Sequence, residues 1–154
     1  MWEVKIMIMA KLKEATREQH EGTEQSVSIM DQMFSIDNYK TLLSKFYRFY
    51  SAMETELVKL DLKKYGYEFA DRLKTSKLET DLKNLGIWDE AKMLPGFQKL
   101  PKVDSPEKAF GCLYVLEGAT LGGQIIKRHL KEHLDLTSDN GGSFFNGYGE
   151  KTGE

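Results

Sequence analysis

Four side chains near the N-terminus have types and spacing suited to holding a ligand: Lys13, Arg17, His20 and Glu24, within LKEATREQHEGTE. Steps of four, three and four residues put them on one face of a helix. Lys13 and His20 then lie about 10 Å apart along its axis. Such a face offers two cations, an imidazole, and a carboxylate one turn further on. An imidazole that binds a metal through one nitrogen usually gives its other N–H to an acceptor, and Glu24 is in reach for that. The same residues also make an ordinary solvated helix face, whose ion pairs contribute little. Both readings stay open on these residues alone.

The second segment is LEGATLGGQIIKRHL, Leu116 to Leu130. Its apolar spacing is helical, yet it holds Gly118, Gly122 and Gly123, each of which costs roughly 1 kcal/mol relative to alanine inside a helix. Gly118 and Gly122 share a face, and Ala119 and Gly123 widen that small strip. Close packing by another helix would offset the loss, and so would a flat ligand lying against the backbone, with the helix bending or loosening between Gly118 and Gly123. Downstream, His129 and His133 in HLKEH have the spacing of a zinc-binding pair, but such a site needs a third ligand and little chain follows. Cys112 reads as a small core residue.

The totals bound the class. In 154 residues, 22 Lys and Arg face 24 Asp and Glu for a formal charge of −2, which is neither the basic excess of a nucleic-acid binder nor an acidic tail. A single cysteine excludes an internal disulfide framework and cysteine-based zinc sites, and fits a reducing compartment, with the cytoplasm as default. MWEVKIMIMA is too short to span a bilayer and is broken by Glu3 and Lys5, so residues 1–9 read as an extension and no membrane is expected. The rest, 10–154, reads as one domain.

The elements that must position these residues are all helical. The first helix is expected over 10–24. After Ser35, apolar residues recur at three- and four-residue spacing from Ile36 to Leu60. A third helix is expected near 72–85, with Gly86 as its stop. The connection to Pro106 holds three prolines and room for a short helical turn. Ser105-Pro106-Glu107 combines a cap, a rigid first position and an acid in the first turn, so a helix should run from there to about Leu136. SFFNGYGEKTGE is turn-like. No repeat and no alternating strand pattern occurs, and the class is all-α.

A histidine with a carboxylate behind it and cations beside it, opposite a glycine-rich helix, suits a flat, anionic, iron-bearing ring: haem, its propionates toward Lys13 and Arg17. LKEATREQHEGTE and LYVLEGATLGGQIIKRHL together resemble the bacterial haem oxygenases, including those associated with bacteriophytochromes, and the resemblance runs from Leu12 through FFNGYGEKTG. It implies a haem oxygenase-like multihelical bundle in which the 10–24 and 105–136 helices face each other across a cleft. It implies that His20 is the axial iron ligand and Glu24 the carboxylate behind it, with Lys13, Arg17 and Tyr114 toward the propionates. Gly118, Gly122 and Gly123 would let the backbone approach the haem and leave room for O2. Haem would be substrate and cofactor, cleaved with O2 and electrons from a reductase or ferredoxin to biliverdin, CO and Fe(II).

This sequence departs from the family at Ala119, where mammalian members carry an aspartate that bacterial ones lack, and at its end. The family's domain continues into a final helix beyond Glu154, so the fold is expected to be C-terminally incomplete. Apolar positions over 35–60 and near Phe144 and Phe145 should then be more exposed than in a complete domain, and the chain should self-associate or be only marginally stable. A non-catalytic haem-binding or haem-trafficking protein on the same fold is the alternative function. A di-iron oxygenase would need several inward carboxylates and histidines on different helices, and the apolar stripes do not offer them. An interaction module without cofactor is the remaining alternative.

Overall fold

Every regular element among the described residues of the computed structural model is helical, as the spacing predicts. The structure describes the backbone of residues 2–27 and 35–152, and within the first stretch the side chains of Met7 and 10–22. It divides into two units, Met1–Gln32 and Met33–Glu154.

The first unit holds α1 (Trp2–Ala15) and α2 (Arg17–Val27). The helix expected from residue 10 therefore begins at Trp2, so the stretch 2–9 is helical. Its Glu, Lys and Met residues favour that state, and neither Gly nor Pro interrupts it. Thr16 marks the junction. Its N–H and its hydroxyl both bond the Leu12 carbonyl, at 3.0 and 2.9 Å, a doubling that loosens a helical turn. The ladder resumes with the His20 N–H on the Thr16 carbonyl at 2.9 Å. All the described side chains of this unit are exposed.

The second unit holds α3 (Ile36–Leu57), α4 (Thr75–Asn84), α5 (Trp88–Met93) and α6 (Pro106–Leu134), with single 3-10 turns at Lys63–Tyr65, Phe69–Arg72 and Gly149–Lys151. Ser35 sits at the N-cap of α3, although its side chain makes no capping bond. α4 starts later than expected, at Thr75, because its cap comes from elsewhere. The Glu54 carboxylate on α3 accepts from the Lys74 N–H at 2.6 Å and the Thr75 N–H at 3.2 Å, placing negative charge at the positive end of the helix. Gly86 stops α4 as expected: it is left-handed, with φ 72°, and the Ile87 N–H reaches back to the Leu82 carbonyl. α6 begins as its sequence dictates, the Ser105 hydroxyl accepting from the Lys108 N–H at 3.4 Å with Pro106 in the first turn.

α3 packs against α4, and the core is Tyr39, Leu43, Met53 and Leu57 from α3 with Leu78 and Leu82 from α4 and Leu113, Leu116 and Leu130 from α6. The middle of the α3 apolar stripe is buried, as is Phe145, while Ile36 is exposed and Phe46, Tyr47 and Leu60 are half-buried. The segment after α6 folds back to cover the stripe. Phe144 and Phe145 pack on Phe46, Tyr50 and Tyr39, and the Tyr39 hydroxyl donates to the Gly141 carbonyl at 2.7 Å. α6 is long and apolar enough to cross a membrane by length and composition, and in this unit its inward row is packed and Glu117 near its middle is ion-paired.

Asp81 is the polar anchor of that returning segment. Fully buried, it accepts from the Ser143 and Phe144 N–H groups, both at 2.8 Å. Burial raises its carboxyl above the ordinary value even though those two donors pull it down. The folded state thus holds this proton more tightly than the unfolded chain. The group's contribution to stability is largest below the ordinary carboxylate pKa, declines as pH rises through the raised value, then levels off. Asp81→Ala leaves two part-buried N–H groups without their acceptor and is expected to lower stability by about 2–4 kcal/mol in urea denaturation. The loss should be larger at pH 3.5 than at pH 7.

Candidate functional site

α6 carries two different faces. Its inward row is Ala109, Leu113, Leu116, Gly123 and Leu130, all buried. Gly118 lies two residues past Leu116, about 200° around the helix, and so on the opposite side. There the structure is open. A Cβ at Gly118 or Gly122 would meet nothing within 4 Å among the described residues. Around them Tyr114, Val115, Leu121 and Ile125 are exposed at 48%, 67%, 60% and 67%. The result is an apolar, solvent-facing surface whose centre is bare backbone.

Gly123 does not share that face, contrary to the expectation that it widens the strip. It is buried, and a Cβ there would stand 3.1 Å from the Phe145 carbonyl oxygen, so its place is the close approach of the returning segment. α6 runs as continuous helix through Gly118–Gly123.

On the first unit, Lys13 lies in the last turn of α1 and Arg17 and His20 in the first turns of α2. All three side chains are exposed, and Arg17 pairs with Glu14 at 3.4 Å on the surface. With the ladder resuming at His20, the three keep the helical spacing expected of them. Glu24 is one turn further along α2, and its side chain lies outside the described residues.

The other flank of α6 is polar, and sequence reasoning passed over most of it. The buried Lys74 ammonium donates to Glu117 Oε1 at 2.5 Å, to the Tyr148 hydroxyl at 3.2 Å and to the Arg72 carbonyl at 3.3 Å. Tyr148 in turn donates to Glu117 Oε2 at 2.7 Å, and the Arg72 guanidinium lies over its ring, 5.0 Å from the centroid. Lys77 donates to the Gly147 carbonyl, and burial, followed by the charge of Lys74, holds its ammonium below the ordinary value. Beside this cluster opens a cleft of ≈ 620 Å³ lined by Tyr67, Arg72, Tyr148 and Lys151 among others. It does not include the glycines. The Tyr67 hydroxyl is buried with no partner among the described residues, and burial, then Glu117, raises it.

The His129 and His133 rings lie with centroids 4.3 Å apart, tilted by 46°, and no cluster of three metal-ligating residues occurs among the described residues, so HLKEH gains no third ligand there. Cys112 is half-buried, which raises its thiol.

Within the second unit the face of α6 around Gly118 and Gly122 is apolar and exposed, and within the first unit His20, Lys13 and Arg17 are exposed. Among known families, the family model described as heme oxygenase matches residues 7–153. Comparison with curated proteins and with solved structures gave no match.

Proposed function

Because the chain belongs to the haem oxygenase family, whose members degrade haem, we propose that it cleaves haem oxidatively to biliverdin, CO and Fe(II), with O2 and an external reductase or ferredoxin as electron donor. The observation that carries this reading is the open glycine-centred face of α6, a surface with no partner among the described residues within 4 Å at Gly118 and Gly122 and four exposed apolar side chains around them.

In this reading His20 ligates the iron through one imidazole nitrogen, and Glu24, directly or through water, takes the N–H of the other and fixes the ring. Lys13 and Arg17 pair with the propionates, and Tyr114 donates a hydrogen bond to one of them. Gly118 and Gly122 leave the oxygen side free of side chains, so that water and backbone groups supply the hydrogen bonds there. Bound haem supplies the redox chemistry, while the chain's own groups ligate, orient and exclude bulk water. The resemblance to the bacterial branch belongs to this proposal, and so does a cytoplasmic site of action, in keeping with the lone Cys112.

Hemin added to the purified chain should give a Soret band of an imidazole-ligated haem, and reductant under air should convert it to a biliverdin spectrum. Size-exclusion of the same samples should show association without hemin and less with it, since hemin covers the apolar face. A Soret band that survives reductant and air would favour a non-catalytic haem carrier. Absence of any hemin spectrum would remove the reading.

A further inference from the structure

We propose that Glu117, gripped by Lys74 and Tyr148, is a positioning residue that fixes the rotation of α6 so that Gly118 and Gly122 face outward; the inference rests on the reading of that face as the haem surface.

Glu117 is the residue directly before Gly118. At 3.6 residues per turn it stands about 100° from Leu116 on the inward side and about 100° from Gly118 on the open side. Its carboxylate therefore points along the flank, away from the open face, and both oxygens are taken on that flank. Oε1 accepts from Lys74 at 2.5 Å, Oε2 accepts from Tyr148 at 2.7 Å, and an Arg72 guanidinium nitrogen stands 4.0 Å from Oε2. The grip comes from two separate parts of the unit, the 72–74 stretch before α4 and the turn after α6.

A helix segment of this composition needs such a grip. Gly118, Ala119 and Gly122 offer nothing to hold, and leucine contacts on the inward side are non-directional, so they set depth better than angle. The ion pair and the phenol bond are directional. A rotation of one residue step would bring Glu117 or Ala119 to the place of Gly118 and put a side chain on the bare backbone.

The test uses the full chain with Glu117→Ala, Glu117→Gln and Tyr148→Phe. Amide hydrogen exchange is read first without hemin, so that it does not depend on the haem reading. Glu117→Ala should speed exchange over 118–125 by about tenfold while α3 stays within about twofold. Glu117→Gln, which keeps an acceptor for Tyr148 without the charge, should fall between. Tyr148→Phe removes one bond and keeps the ring, and decides the matter if Glu117→Ala does not fold. With hemin, the same variants should change the ratio of high-spin to low-spin ferric haem and slow haem conversion by about tenfold, with hemin affinity within about threefold. Unchanged exchange over 118–125 in Tyr148→Phe and the folded Glu117 variants overturns the proposal. So does an equal increase across the whole second unit, the mark of a general stabilising role. If wild type gives no hemin spectrum, the haem reading fails, and the exchange data still decide whether Glu117 holds the segment.

Discussion

Replacing His20 with alanine is expected to abolish the imidazole-ligated hemin spectrum while leaving helix content unchanged. His20 is exposed on α2, so its removal opens no core cavity, and alanine is the better helix former. The effect therefore separates ligation from folding. Added imidazole should restore part of the spectrum by filling the vacated axial position. The three histidines of the sequence allow an internal control. His129 is buried beside the His133 ring near the end of α6, about 10 Å along that helix from Gly122 and on its inward side. His129→Ala and His133→Ala should leave the spectrum unaltered, whatever His129→Ala does to stability. A hemin spectrum in His20→Ala identical to wild type would remove the proximal assignment and with it the main chemical support for the proposed reaction.

What could be read from the sequence was local. Ser105-Pro106-Glu107 and Gly86 act on their own helix ends, and both do what their chemistry requires. The late start of α4 was not legible, because its cap is the Glu54 carboxylate, twenty positions earlier in the chain. The cover over α3 was not legible for a related reason. It comes from Phe144 and Phe145, brought back by Asp81 and Tyr39 through bonds to the backbone, and backbone partners leave no residue pattern. A signal was nevertheless present. Asp81 falls in the Leu78–Leu82 row, and Glu54 in the row of Tyr50, Met53 and Leu57; a carboxylate on an apolar stripe marks a long-range partner. For the candidate site, glycine spacing alone gave the Gly118–Gly122 face, but it could not distinguish Gly123, since that depends on where Phe145 returns.

Gly118, Gly122 and Gly123 of α6 are expected to respond to alanine in opposite ways. At Gly118 and Gly122 a methyl group meets nothing among the described residues, and the helical backbone accepts it, so each substitution should stabilise the hemin-free chain by about 0.5–1 kcal/mol through helix propensity. At Gly123 the added Cβ would stand 3.1 Å from the Phe145 carbonyl oxygen. That oxygen belongs to backbone tied down through the Phe144 N–H on Asp81, so it yields poorly, and Gly123→Ala should cost about 1–3 kcal/mol as an overpacked contact. Function should run the other way. If the open face takes haem and O2, Gly118→Ala and Gly122→Ala place methyl groups on the surface the ring must reach, and the more stable proteins should convert haem more slowly, by about tenfold or more. Larger side chains such as leucine should block hemin binding while keeping the gain in stability over glycine. Urea denaturation of the hemin-free proteins, set beside hemin titration and turnover of the same samples, measures both sides. A Gly118→Leu protein that binds and converts hemin like wild type would mean that this face meets something other than haem. The glycines would then need another reason for the roughly 2 kcal/mol of helix stability that two of them give up.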